Sequence, residues 1–355
     1  MTNSTEIRKE DHIKLCIDKN VRSDKNFWDD MTLIGENIPD VSMEDIDISS
    51  VVAGKQLKAP LIIAAMTGGC NLAQDINKRL ASAAQKFGIG LGVGSQRAAI
   101  ENPALVNTYS VVKDFDIPLV IGNIGVPQVI LSPDIHKLFN DLVQMIKADC
   151  IAIHLNFSQE ITQPEGDLIA KGFWEKIFPY SKEFFLIIKE TGSGLSKNTA
   201  KKAADHGFRF ADIGGLSGTS FPAVEYYRAV EKNDIQKQNL AKLLWNWGIP
   251  SPVSIFETKP YLPIIATGGI RNGLDMAKAL ALGADAAGIA LELLAPAYSG
   301  MEQLEQKIES IIQELKSIMF LTNCKTIRDL RKRRWFTTDD LYNWLNGLNY
   351  NVRQN

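Results

Sequence analysis

Histidine and cysteine are both scarce, with four of each in 355 residues. Cys16, Cys70, Cys150 and Cys324 lie far apart and never form a CxxC spacing, which argues against a zinc site and against a disulfide framework. Free thiols in a reducing cytosol are the expectation, and with them a cytoplasmic location. Charge of one sign is also missing. The net charge is −2 and the pI about 6.2, so no global basic field recommends nucleic acid or an anionic membrane as partner. No apolar run approaches the roughly 18 residues of a membrane span, and the polar opening "MTNSTEIRKEDHIK" does not read as a signal peptide. The first strand-like run ends in "MTGGC" rather than GxGxxG, which disfavours an open doubly wound sheet built around a dinucleotide.

What is present is a series of short apolar runs. They are "LIIAAM" (61–66), "GLGV" (90–93), "PLVIGNI" (118–124), "CIAIHL" (150–155), "FFLIIK" (184–189), "FADIGG" (210–215), "LPIIATGG" (262–269) and "AAGIAL" (286–291). Each has the length of a strand buried on both faces. Helical patterning separates most of them, as in 73–88 and 273–284, which end at Gly88 and Gly283. Eight strand–helix units predict an α/β fold, a closed (β/α)8 TIM barrel. A single domain is expected, with an N-terminal arm and lead-in over 1–58, the barrel over 59–300 and C-terminal helices over 301–355. Residues 216–261 form an extended connection between strands six and seven. The basic run Arg328, Arg331, Lys332, Arg333 and Arg334 reads as a solvated face or subunit contact.

In such a barrel the active site lies at the C-terminal mouths of the strands. Those mouths deliver Met66, Thr67 and Gly68; Ser95, Gln96 and Arg97; Asn123; Lys189; Ser217 and Thr219; Gly268, Gly269 and Arg271; and Ala290 and Leu291. Strand four ends in a burst of polar groups, "HLNFSQEITQPEGD", with His154, Asn156, Gln159 and Glu160. In "ATGGIRNGLDMAKAL" the helix start is expected to cradle a phosphate, with glycines permitting close approach. Lys189 closes an apolar strand, so its ammonium is expected at the mouth, either against developing negative charge on a cofactor or paired with a carboxylate. Glu160 is a candidate Mg²⁺ ligand, one carboxylate sufficing when a diphosphate supplies further oxygens. Arg8, Lys9 and His12 of "RKEDH", with Arg97 and His154, make a candidate anion pocket.

The motifs "RKxxH", "MTGG", "GSQR", "HLNxxQE…QPEGD", "KExGxG", "GTSF" and "TGGIRNGLDMAKALALGAD" together resemble the type 2 isopentenyl-diphosphate isomerases over nearly the whole chain. The resemblance implies an FMN-dependent barrel that shifts the double bond of isopentenyl diphosphate to give dimethylallyl diphosphate. It implies a requirement for reduced FMN and Mg²⁺, NAD(P)H as priming reductant, N5 of the flavin as acid–base and a homo-oligomer, tetramer or octamer. It places Gln159 beside the reacting alkene, Glu160 on Mg²⁺, and Arg8, Lys9, His12, Ser95, Gln96, Arg97, His154, Asn156 and Gln159 around the substrate. Met66, Thr67, Gly68, Ser95, Asn123, Lys189, Thr219, Gly268, Gly269, Arg271, Ala290 and Leu291 are implied around FMN. The nearest rival, a 2-hydroxy acid oxidase, predicts a catalytic His–Arg pair or a nucleophilic cysteine at a late strand mouth. The strand-six mouth carries neither, and no cysteine lies between 151 and 323.

Overall fold

The computed structural model describes residues 4–350, so the first three and last five positions of the expected arm and tail lie outside the described residues. Eight parallel strands close into a barrel: β1 (Leu61–Ile63), β2 (Gly90–Gly92), β3 (Leu119–Gly125), β4 (Cys150–Leu155), β5 (Leu186–Glu190), β6 (Phe210–Asp212), β7 (Ile264–Ala266) and β8 (Ala286–Ile289), with β8 paired to β1. The fold is the (β/α)8 barrel that the runs predict. Five of the strands stop short of their runs, whose last residues leave the ladder to build the rim; β3, β4 and β5 continue to the end of theirs or beyond.

Alternation along each strand sorts side chains into and out of the barrel. Leu119 and Ile121, Cys150 and Ala152, Ile187, Phe210, Ile265 and Ala286 form an inner apolar layer. The hairpin of strands Ser50–Val52 and Lys55–Leu57 contributes Val52 and Leu57 to that layer. One step further along the same alternation come Asn123, His154, Lys189, Asp212 and Thr267. Register places His154 beside Lys189, and Lys189 beside Asp212. The barrel is therefore dry within and polar at its rim.

Helix α1 (Ser4–Asp18) belongs to the arm. It buries Ile13 and Leu15, the latter against Ala223 and Val224 of helix α4 (Phe221–Glu231). Helix α2 (Asn71–Phe87) follows β1, helix α3 (Phe157–Thr162) follows β4, and helix α5 (Gly273–Leu282) follows β7. The long helix α6 (Met301–Leu321) lies along α5. The connection after β6 holds three helices, the first being α4.

The tail folds back onto the lead-in. Strand Trp335–Thr337 pairs antiparallel with Met31–Leu33, and Asp30 accepts from the Leu341 N–H at 3.1 Å. Just before that pairing, Trp28 is fully buried. Its Nε1 donates to the Gly268 carbonyl at 2.9 Å, while Asn26 Nδ2 donates to the Gly269 carbonyl at 2.7 Å. The basic run is only partly a solvated face: Arg331 binds Asp285 at 2.9 Å, and Arg333 approaches Glu36 at 3.6 Å.

Candidate active site

One cavity at the C-terminal end of the barrel is lined by residues from the arm and all eight mouths. Every expected site residue except Gln96 lines it. The Gln96 side chain points the other way and is fully buried. Its Oε1 accepts the Asn123 N–H at 3.0 Å, and its Nε2 donates to the Leu142 carbonyl at 3.1 Å. The expectation that Gln96 meets substrate is corrected: the residue after Ser95 turns into the protein and anchors β3.

The flavin expectation is tested by the donors at the rim. Among the described residues, the peptide N–H groups of Gly218, Thr219, Gly269 and Ile270 have no protein acceptor, and all four residues line the cavity. Carbonyls 268 and 269 are held from behind by Trp28, Asn26 and Ser251 Oγ, so this turn is fixed. Gly268 has φ +97°, and a Cβ there would meet the Gly215 carbonyl at 2.2 Å, so glycine is required. A ring of fixed, unpaired amides fits a phosphate group.

The start of α5 is less open than the sequence implies. Gly273 N–H is taken by Glu314 at 2.7 Å and Asp275 N–H by the Asn272 side chain at 2.9 Å. The free donors lie in the preceding turn instead. Arg271 reaches the cavity with its guanidinium already bound to Asp275 and Asp29, which hold its pKa above the ordinary value. Ser217, expected at the strand-six mouth, is buried. Its hydroxyl binds the Leu216 carbonyl and the Phe27 N–H rather than facing the cavity. Thr67 likewise gives its hydroxyl to Asn77 at 2.6 Å.

The stretch after β4 is organised as a clamp. Asn156 Nδ2 donates to Glu160 Oε1 at 2.9 Å and to Gln159 Oε1 at 3.3 Å. Glu160 Oε2 accepts the Asp167 N–H at 2.8 Å, and Asp167 in turn accepts from Arg97 at 2.6 Å. A Cβ on Gly166 would meet the Glu160 carbonyl at 1.8 Å, so the "PEGD" turn needs glycine to fold against α3. Burial pushes the Glu160 carboxyl up, with the Asp167 and Asn156 bonds opposing it. A cation beside it would offset that desolvation. Among the described residues no group of three acidic, histidine or cysteine side chains could hold a metal. Glu160 could thus serve only as a partial ligand set, as expected for a metal completed by substrate oxygens.

His154 Nδ1 lies 2.7 Å from Asn123 Oδ1. Asn123 Nδ2 already donates to the Val93 carbonyl, so the imidazole must be the donor at Nδ1. Burial first, then Lys9, Lys189 and Arg97, pull its pKa down to about 3, so the ring is neutral. Burial and Arg8 pull Lys9 down to about 8. Positive charge at this end therefore comes chiefly from the arginines and Lys9.

Two residues that the sequence reading passed over complete the site. Glu225, on α4, is wholly buried. It accepts from His12 Nε2 at 2.9 Å, Gln159 Nε2 at 3.1 Å and Arg228 Nη1 at 2.6 Å. Arg228 continues to Glu165 of the "PEGD" turn at 3.3 Å. This buried carboxylate joins the arm, the clamp and α4. Its i,i+3 spacing to Arg228 was the available signal.

Residues 253–337 match the family model of FMN-dependent dehydrogenases. Among curated proteins, the chain is 45% identical to the isopentenyl-diphosphate delta-isomerase of Thermoplasma acidophilum, over 95% of this chain and 98% of that one. It is 41% identical to the protein of the same name from Methanosarcina mazei, over 99% and 98%. Among solved structures, mandelate oxidase superposes with a TM-score of 0.62 at 15% identity, covering 93% of this chain and 95% of that one, a likeness of fold alone.

Proposed function

Because this chain belongs to the isopentenyl-diphosphate delta-isomerase family, in its type 2 branch, we propose that it interconverts isopentenyl and dimethylallyl diphosphate with reduced FMN and Mg²⁺. The observation that carries this reading is the convergence, on one cavity, of the arm cations, Glu160 and the unpaired rim amides. Reduced FMN, when bound, supplies a proton donor and acceptor at N5 and negative charge against a cationic transition state.

The chain's own residues do the rest. Amides 218, 219, 269 and 270 would hold the cofactor phosphate, with Lys189 along the β5 side. Met66, Gly68, Ser95, Ala290 and Leu291 would frame the cofactor. Arg8, Lys9 and Arg97 would neutralise the diphosphate, with His12 and His154 beside them. Glu160 would offer Mg²⁺ its carboxylate. Gln159, held between Asn156 and Glu225, presents a fixed amide at which the alkene can be oriented. Helix α1 over the mouth would exclude water from a reaction whose cation water would quench. NAD(P)H is the proposed source of electrons for the cofactor and would not be consumed per turnover.

No helix among the described residues is long and apolar enough to cross a membrane. A cytoplasmic homo-oligomer, tetramer or octamer, is proposed; exposed Leu243 and Trp247 on the connection after β6 support such contacts.

The test is anaerobic incubation of the purified protein with FMN, Mg²⁺, dithionite and isopentenyl diphosphate. Dimethylallyl diphosphate should accumulate to equilibrium. No product from folded, flavin-loaded protein overturns the reading. NADPH oxidised one for one with product overturns the isomerase chemistry.

A further inference from the structure

Lys189 does not stand at the rim as a bare cation. Its Nζ donates to Asp212 Oδ2 at 2.7 Å and to the Glu190 carbonyl at 3.3 Å. An ammonium has three donors, so one remains for a ligand in the cavity that Lys189 lines. Asp212 is held in turn. Its Oδ1 accepts from Thr267 Oγ1, and that oxygen accepts the Gly214 N–H at 2.8 Å. Lys189 and Asp212 are both buried and share one register row on neighbouring strands. Neither can swing away without breaking these hydrogen bonds.

We propose that Asp212, backed by Thr267, is a positioning residue that cancels most of the Lys189 charge and leaves one N–H aimed at the flavin. The inference rests on the flavin reading above. The chemistry asks for such an arrangement. A full positive charge beside reduced flavin would favour the anion strongly. An anion held that well is a weak base, and its charge is spent on the protein rather than on a cationic transition state. A neutral pair fixes the donor's direction while leaving the flavin its charge. Asp212 itself lies outside the cavity lining, behind Lys189.

The experiment measures the two-electron midpoint potential of FMN bound to the full-length protein, with affinities for oxidised and reduced FMN. Asp212→Asn keeps the shape and removes the charge. It should favour reduced over oxidised FMN by about tenfold, a rise of about 30 mV. Its kcat should fall while KM for isopentenyl diphosphate stays unchanged, because the arm cations are untouched. Thr267→Val keeps the pair's charges but frees Asp212, and should raise the potential by less. In Asp212→Asn/Lys189→Met the charges and the N–H donor are all gone, so the potential should fall back to the wild-type value or below it.

An unchanged or lowered potential in folded Asp212→Asn overturns the proposal. If that variant does not fold, Thr267→Val decides it, an unchanged potential again counting against. A double variant that keeps the raised potential also refutes it, because the effect would then not act through Lys189. Folded wild-type protein that takes up no FMN would instead sink the flavin reading and this inference with it.

Discussion

Replacing Glu225 with glutamine should weaken the fold and the chemistry together, and pH separates the two effects. The carboxylate is fully buried and takes three hydrogen bonds, from His12, Gln159 and Arg228. Burial pushes its pKa up, but His12, Arg228 and Gln159 outweigh this and hold it at about 2 against an ordinary 4.5. A carboxyl with a depressed folded pKa stabilises the fold above its unfolded value and loses that contribution as pH falls through the folded one. The window is thus pH 4.5 down to about 2. At 1.36 kcal/mol per pH unit the contribution at neutral pH is about 3 kcal/mol. Leaving Arg228 without its nearer partner points the same way, at about 3–5 kcal/mol for a broken buried pair. Urea unfolding of both proteins at pH 7 and pH 3 is the assay. The gap should be about 3 kcal/mol at pH 7 and clearly smaller at pH 3, where wild type has surrendered part of the same energy. In activity, Gln159 loses a charged acceptor worth about 1.5–3 kcal/mol. If that energy orients the amide only in the transition state, kcat falls roughly 10- to 150-fold. An equal stability gap at both pH values, or an undiminished kcat in the folded variant, would refute the reasoning.

Three further outcomes are expected. Glu160→Gln should raise the Mg²⁺ concentration for half-maximal rate, with partial rescue at high Mg²⁺, because a hard cation needs the charge; an unmoved Mg²⁺ titration would remove Glu160 from the metal. Gln159→Leu should depress kcat while leaving that Mg²⁺ curve and FMN binding unchanged, and a shifted curve would show the two roles misassigned. Arg8→Ala should raise KM for isopentenyl diphosphate about 10- to 150-fold, the equivalent of about 1.5–3 kcal/mol for a charge-assisted bond; steady-state kinetics with FMN affinity measured in parallel checks it, and a loss confined to FMN affinity would contradict it.

The barrel was legible because each of its strands lies in an apolar run of the right length, and most of the cavity lining because its residues outside the arm follow those runs directly. Helix α2 was expected over 73–88 and spans Asn71–Phe87. What escaped was whatever depends on which way a side chain turns. Gln96 and Arg97 are adjacent, yet one anchors β3 and the other faces the cavity. Asp212 and Thr267 were within reach, since the alternation Phe210–Asp212 and Ile265–Thr267 carries the inner face one step upward. Glu225 and Arg228 were not. They sit in a connection that reads as an insertion, and the packing of α4 on α1 and α3 brings them behind the cavity lining. Gln163 and the "PEGD" turn had no role in the sequence reading. The turn now has one: Asp167 and Gly166 fold it back onto Glu160.

The seam between the lead-in and the tail bears on how the protein is made. A ribosome delivers the chain from its N-terminus at about 5–20 residues per second, and folding begins as it emerges. The turn at Gly268 is steadied by Trp28, which was made long before it. The strand Met31–Leu33 that follows Trp28 finds its own partner, Trp335–Thr337, only about 70 residues after the turn has appeared. From residue 294 until then a nascent chain holds all eight barrel strands and every residue that lines the cavity, yet one side of the cradle rests on a segment whose edge is unpaired. Cofactor capture during synthesis should therefore lag barrel closure, and a released chain truncated near residue 325 should hold flavin less firmly than the full-length protein.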